Sequence, residues 1–103
     1  MSSVAHVLDL DPVLHEKSRL GIASVLATGT FMTFRELKDA LSMTDGNLSV
    51  HLRVLEEAGY VELEKTFVGR KPQTRVALSR PGRRALSRYV DHMEAIVDSV
   101  RGR

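Results

Sequence analysis

The side chains best suited to specific chemistry lie in one short stretch of the chain. Asn pairs with adenine and Arg with guanine through two hydrogen bonds, while His and Ser reach either base and Val can touch a thymine methyl. The stretch has helical periodicity, with Leu48, Leu52 and Leu55 on one face. We predict that the other positions form the DNA-reading face: Thr44, Asp45, Gly46, Asn47, Ser49, Val50, His51 and Arg53. On this face Arg53, His51 and Ser49 can reach a base or a phosphate.

Gly46 near the start of this helix has two interpretations. Glycine costs about 1 kcal/mol relative to alanine inside a helix, so its presence needs a reason. Either the missing side chain lets the backbone approach DNA closely, or it merely suits the packing of one helix on another.

A second candidate group is cationic. The segment Val68 to Gln73 contains Gly69 and Pro72 and separates two stretches of alternating pattern, which indicates the tip of a hairpin. We predict a wing over residues 66–74 that touches the DNA backbone or the minor groove through three basic side chains, Arg70, Lys71 and Arg75.

Positive charge is concentrated around this hairpin. Residues 60–88 carry eight basic and two acidic side chains, whereas residues 1–59 carry five basic and eight acidic ones. A patch of this density usually faces a polyanion, although a solvated surface is the alternative.

The elements that must position these residues follow from local signals. Asp11-Pro12 predicts the start of a helix that runs to about Ala27, and Phe31-Met32 predicts a brief strand. Thr33 and Glu36 have capping-box spacing, which predicts a second short helix. Ser42-Met43-Thr44 then predicts a turn, and Gly59 the end of the third helix, 44–58.

After Gly59 the pattern alternates, with Val61 and Leu63 on one face and Val76 and Leu78 repeating it later. Ser79, followed by Pro81, predicts a last helix to about Val100. The fold class expected is mainly α with a small β-hairpin (α+β), a winged helix-turn-helix in the order α1-(β1)-α2-α3-β2-wing-β3-α4. Such a unit lays its second helix in the major groove.

The last helix carries an apolar seam that advances by four, three, four and three residues, as in a coiled coil. Packing against the first helix is one explanation, and a dimer of two chains is the one we favour. The predicted dimer interface is Leu86, Tyr89, Val90, Met93, Ile96, Val97 and Val100, with residues Val4 to Leu14 able to join it. We therefore expect an N-terminal arm (1–10), a DNA-binding domain (11–79) and a dimerisation helix (80–103).

Four short patterns follow one another with a characteristic order and spacing: Phe34 to Leu37, Asp45 to Leu52, Leu55 to Val61, and Phe67 to Pro72. Together they resemble compact prokaryotic winged-helix regulators related to the MarR and ArsR groups, over about Pro12 to Leu86. The resemblance implies a homodimer that binds double-stranded DNA at a palindromic operator, and we expect it to act as a repressor.

Two other functions stay open. An ArsR-like metal sensor could use His6, His15, His51 or His92 with Asp91, Glu94 and Asp98, although the chain has no cysteine and Asp91 and His92 point about 100° apart on a helix. A winged helix used only for protein contacts is the other.

We predict no enzyme activity and no cofactor, because catalytic motifs such as a Gly-rich phosphate loop or H-E-x-x-H are missing. A small-molecule effector is neither indicated nor excluded. No stretch has a signal-peptide or membrane-spanning pattern, so a cytoplasmic location is expected.

Overall fold

In the computed structural model, which describes residues 6–102, four α-helices pack with a three-stranded antiparallel sheet. The elements after a short 3₁₀ turn at Val7–Asp9 are α1 Lys17–Leu26, β1 Met32–Thr33, α2 Phe34–Leu41, α3 Asp45–Glu57, β2 Val61–Val68, β3 Lys71–Leu78 and α4 Arg80–Arg101. The strand order is β1-β3-β2. The predicted fold class and element order are confirmed. Of the predicted N-terminal arm, residues 1–5 lie outside the described part of the chain, as does Arg103.

The predicted start of the first helix is wrong. Asp11 does cap a turn, because its carboxylate accepts the amides of Val13 (2.8 Å) and Leu14 (3.2 Å). The turn does not continue as a helix, however, and α1 begins only at Lys17, capped by the Glu16 carboxylate. The other Asp11 oxygen accepts the Tyr60 hydroxyl, so this segment is fixed by a contact 49 residues away.

The predicted caps at Thr33 and Ser79 are confirmed. Thr33 and Glu36 form a complete capping box at the start of α2, and the Thr44 hydroxyl accepts the amide of Asn47 at the start of α3. Between these helices Ser42 has a φ of 52°, which ends α2 and makes the turn of the helix-turn-helix.

Ser79 joins the hairpin to α4. Its hydroxyl accepts the amide of Gly82 at 3.0 Å and donates to the carbonyl of Gly59. A Cβ built on Gly82 would lie 2.0 Å from the Tyr60 carbonyl oxygen, so only glycine allows α4 to start this close to the end of α3.

The hairpin tip is shorter than predicted. We expected a link of six residues from Val68, but Val68 pairs with Lys71 and only Gly69 and Arg70 form the turn. Gly69 has a φ of 63° and Arg70 does not share the left-handed conformation, as in a type II′ turn, whose twist suits a hairpin. The wing is therefore a regular two-stranded ribbon almost to its end.

One core holds the elements together. The largest fully buried side chains come from three helices, the central strand and the segment before α1: Leu14 before α1, Ile22 and Leu26 of α1, Leu37 of α2, Leu48 and Leu55 of α3, and Val76 of β3. The helix-turn-helix is therefore packed against the base of the wing.

Candidate nucleic-acid interface

The outward face of α3 is free of contacts with the core. Leu48, Leu52 and Leu55 are no more than 2% exposed. The exposed residues of the predicted set are Thr44, Asp45, Gly46, Asn47, Ser49, Val50 and Arg53. Val50 keeps 59% of its surface exposed. The exposed face therefore combines hydrogen-bonding groups with an apolar side chain, as contact with base edges requires.

Gly46 is not needed for packing. A Cβ built at this position meets no atom within 4 Å, so the interpretation that glycine suits helix packing is wrong for this chain. The open space lies on the same exposed face as Val50, and it is available to a ligand outside the chain.

Asp45 stabilises the start of α3. Its carboxylate lies 3.0 Å from the Lys38 ammonium of α2, and a negative charge in a first turn interacts favourably with the helix dipole. This ion pair links the two helices of the helix-turn-helix.

His51 does not lie on the outward face, so its predicted role as a base contact is not supported by its position. Its Nδ1 lies 3.2 Å from the Arg19 guanidinium and 3.6 Å from the Glu16 carboxylate, and the side chain is only 20% exposed. Arg19 also donates to the carbonyl of Val13 at 2.7 Å. These contacts make His51 part of a polar brace between the start of α1 and the middle of α3.

Sequence reasoning missed Glu16 and Arg19 as the residues that hold α3. A signal was available for His51, because at 100° per residue it lies only about 60° from Leu48 and therefore at the border of the buried stripe. No local pattern indicates its partners, which are 32 and 35 residues away.

The brace predicts a pH dependence of stability. Burial raises the pKa of the Glu16 carboxyl, but hydrogen bonds from the amides of Arg19 and Ser18 and the charges of His51 and Arg19 outweigh it, so the pKa lies below the ordinary value of 4.5. The ionised form thus contributes stability that is present above pH 4.5 and lost as the pH falls through the folded-state pKa.

We expect Glu16→Gln to unfold at lower urea concentration than the wild type near neutral pH, with the difference in unfolding free energy shrinking as the pH falls below about 4.5. Urea unfolding from pH 3 to 7 measures this, and Glu57→Gln, which removes an exposed carboxylate at the end of α3, is the control. A constant difference across that range would contradict the assignment.

The wing presents its cations unequally. Arg70 occupies the turn and Lys71 starts β3, and both are exposed. Within residues 6–102 neither forms an ion pair. Arg75 lies away from the tip, on the central strand β3, where it is opposite Glu64 of β2 in the strand register. Its side chain is partly buried, and its guanidinium lies 4.7 Å from the centre of the Phe31 ring. Arg70 and Lys71 thus lie at the hairpin tip, where the wing contact is predicted, whereas Arg75 does not.

The basic side chains of residues 60–88 have different environments in the fold. Arg83 donates to the carbonyl of Gly29, in the turn after α1, at 2.8 Å. The Arg83 guanidinium therefore has a hydrogen-bond partner within the chain, whereas Arg70 and Lys71 have no ion-pair partner among residues 6–102.

The apolar seam of α4 is also divided. Leu86 and Tyr89 are at most 9% exposed and belong to the core of the single chain, with the Tyr89 hydroxyl 2.8 Å from His15 Nδ1. Met93 and Ile96 pack partly against that core. The free part of the seam is Val90 (47% exposed), Val97 (37%) and Val100 (74%).

The part of the chain that the structure describes contains no group of three His, Cys, Asp or Glu side chains able to hold a metal ion. None of the helices within residues 6–102 has the length and apolar character needed to cross a membrane.

Comparison with known proteins places this geometry in a family. Residues 18–97 match the model of a winged helix DNA-binding domain. An uncharacterised protein of Methanocaldococcus jannaschii is 36% identical over 72 residues, which are 70% of this chain and 78% of that protein.

Solved structures agree. A transcriptional regulator homologue of Pyrococcus horikoshii OT3 superposes with a TM-score of 0.87 at 29% identity, covering 97% of this chain and 98% of that one. A MarR family transcriptional regulator of Streptomyces coelicolor, solved in complex with DNA, shares the fold at a TM-score of 0.70 and 24% identity over 91% of this chain and 63% of its own. The resemblance inferred from the sequence is confirmed, and the chain belongs to the winged helix DNA-binding domain family.

Proposed function

We propose that the protein is a transcriptional regulator that binds double-stranded DNA with sequence preference, and that α3 enters the major groove. One observation carries this proposal. The inward leucines of α3 are fully packed, yet its opposite face exposes Asn47, Val50 and Arg53 with open space over Gly46. Base recognition in the groove requires a helix that the core fixes through one face and that exposes its opposite face to the DNA.

The wing has a different task in this proposal. Arg70 and Lys71 lie at the tip of the β2–β3 hairpin and have no ion-pair partner within the described residues. They are therefore available to phosphates beside the groove. Contacts to phosphates supply affinity and fix the register of the protein without selecting a sequence. Arg70, at the turn itself, can also enter a narrow minor groove.

We further propose a homodimer formed through α4. Val90, Val97 and Val100 remain exposed on one side of a helix 22 residues long, and the single chain leaves them uncovered. A two-fold dimer would present two α3 helices to half-sites about one DNA turn apart, near 34 Å. The partners are therefore a second copy of this chain and a palindromic operator.

Repression is the regulatory outcome that this arrangement favours. A dimer that fills two major grooves and the flanking backbone denies the same base pairs to other proteins. The proposal requires no cofactor and no catalytic group.

Selection of bound fragments from random and genomic DNA tests the function. We expect enrichment of an inverted repeat whose half-site centres lie about 10 base pairs apart. Recovery of fragments without any shared sequence, at the affinity of random duplex, would contradict sequence recognition. Failure to bind duplex at low salt would instead favour a winged helix used for protein contacts.

Gly46 gives a prediction with effects of opposite sign. We expect Gly46→Ala to raise the unfolding free energy by a few tenths to about 1 kcal/mol, because the helix gains a better former and nothing obstructs the new methyl group. The same methyl group should weaken binding to the selected DNA, since it fills the space that the groove would occupy.

Urea unfolding and a DNA titration of the same preparation measure both effects. Gly29→Ala, which adds the same methyl group to open space in the turn after α1, away from α3, is the matched control. A stabilised Gly46→Ala protein with unchanged DNA affinity would show that this end of α3 stays away from DNA.

A further inference from the structure

The wing carries an apolar knob that neither the core nor the proposed phosphate contacts use. Phe67 is 69% exposed, and its partner across the ribbon is Pro72, also exposed. Phe67 and Pro72 are cross-strand partners and so form one contiguous apolar patch, which, unlike a single exposed side chain, indicates a contact surface.

The position of the knob follows from the register of the hairpin. Side chains alternate between the two faces of a strand, so Phe67 lies on the face of Val61 and Leu63, and Pro72 on the face of Val76. Val61 and Val76 are buried at the base of the sheet. Phe67 and Pro72 thus continue the core face outward, past the point where helices cover it.

Pro72 suits this place. It has no amide to donate, and β1 pairs with β3 only opposite Val76 and Arg75, so the outer edge of β3 is free at Pro72. The ring of Pro72 therefore supports Phe67 from across the ribbon at little cost in hydrogen bonds.

The charges around the knob identify its partner. Arg70 and Lys71 lie next to the knob, Lys65 lies on the same face of β2 as Phe67, and residues 65–75 contain no carboxylate. A protein partner for an apolar knob does not need these neighbouring cations. A nucleic acid offers phosphates to the cations and apolar surfaces on its sugars and bases to Phe67.

We propose that Phe67, supported by Pro72, is a wedge that enters the minor groove next to the α3 site and partly unstacks one base step. Apolar side chains inserted in this way kink the duplex by 20–90° toward the major groove. The inference rests on the proposed DNA binding and adds to it that the protein bends its site, with a preference for flexible pyrimidine–purine steps under the wing.

The test uses the full chain and a DNA duplex recovered by selection, labelled at both ends for energy transfer and carrying 2-aminopurine at the step under the wing. We expect binding of the wild type to shorten the end-to-end distance and to raise 2-aminopurine fluorescence. Phe67→Ser should lose both signals and bind about tenfold more weakly, while Phe67→Leu, which keeps an apolar wedge, should retain most of the bend.

Val68→Ser is the matched control, because Val68 is 58% exposed on the opposite face of the same strand. Urea unfolding of each variant checks that the fold is kept. A straight wild-type complex, or equal bending by the wild type and Phe67→Ser, overturns the wedge while leaving DNA binding intact. A change of oligomeric state in Phe67→Ser also overturns it, since the knob would then contact protein. Absence of DNA binding by the wild type overturns the proposed function itself.

Discussion

Replacing Val90 or Val97 with Asp should produce a monomer whose affinity for the selected DNA is 10²- to 10⁴-fold lower than that of the wild type. The two valines lie one heptad apart on α4 and are 47% and 37% exposed in the single chain. A carboxylate there costs the single chain little but would have to be buried without a partner in a dimer. Loss of the second subunit removes the gain from two linked half-sites.

Sedimentation and DNA titration on the same samples measure both parts of this expectation. Ala95→Asp is the matched control: it adds the same charge to an exposed position of α4, about 180° around the helix from the seam. We expect this variant to remain dimeric. A dimeric Val97→Asp protein with full affinity would place the dimer contact elsewhere or remove it.

Replacing Arg70 and Lys71 together by alanine should weaken binding to every sequence and flatten its dependence on salt. Each neutralised phosphate contributes about 0.9 to the slope of log affinity against log salt concentration, so a dimer that loses two contacts per subunit should lose a slope of about 3 to 4. The preferred sequence should not change, because phosphate contacts carry no base information.

Titrations between 50 and 200 mM salt with specific and random duplexes provide this slope. Arg101→Ala, which removes an exposed cation at the far end of α4, is the control and should leave the slope nearly unchanged. An unchanged slope in the wing variant would mean that the hairpin tip does not touch DNA.

Local signals in the sequence were sufficient for most elements of the fold. The Thr33–Glu36 box and the Ser79 cap each depend on groups within three residues, and both form as predicted. The start of α1 could not be placed in this way. There Asp11 caps only a single turn, and the hydrogen bond from the Tyr60 hydroxyl to its carboxylate fixes the position of this segment.

The candidate site shows the same division. Periodicity alone separates the buried leucines of α3 from the exposed face that holds Asn47 and Arg53. The environments of His51 and Arg75 depend on Glu16, Arg19 and Phe31, which are distant in sequence, and no local pattern reveals such contacts. Leu86 and Tyr89 belong to a heptad pattern, yet the first turns of α4 use these positions for the core of one chain.

The most direct test of the account is to repeat the DNA selection with three proteins: the wild type, Arg53→Ala, and the double variant Arg70→Ala, Lys71→Ala. We predict that the wild type and the wing variant recover the same inverted repeat. Arg53→Ala should lose about 1 to 3 kcal/mol of preference at a symmetric pair of positions, one in each half-site. An unchanged preference in Arg53→Ala, with a changed one in the wing variant, would contradict the assignment of sequence reading to α3.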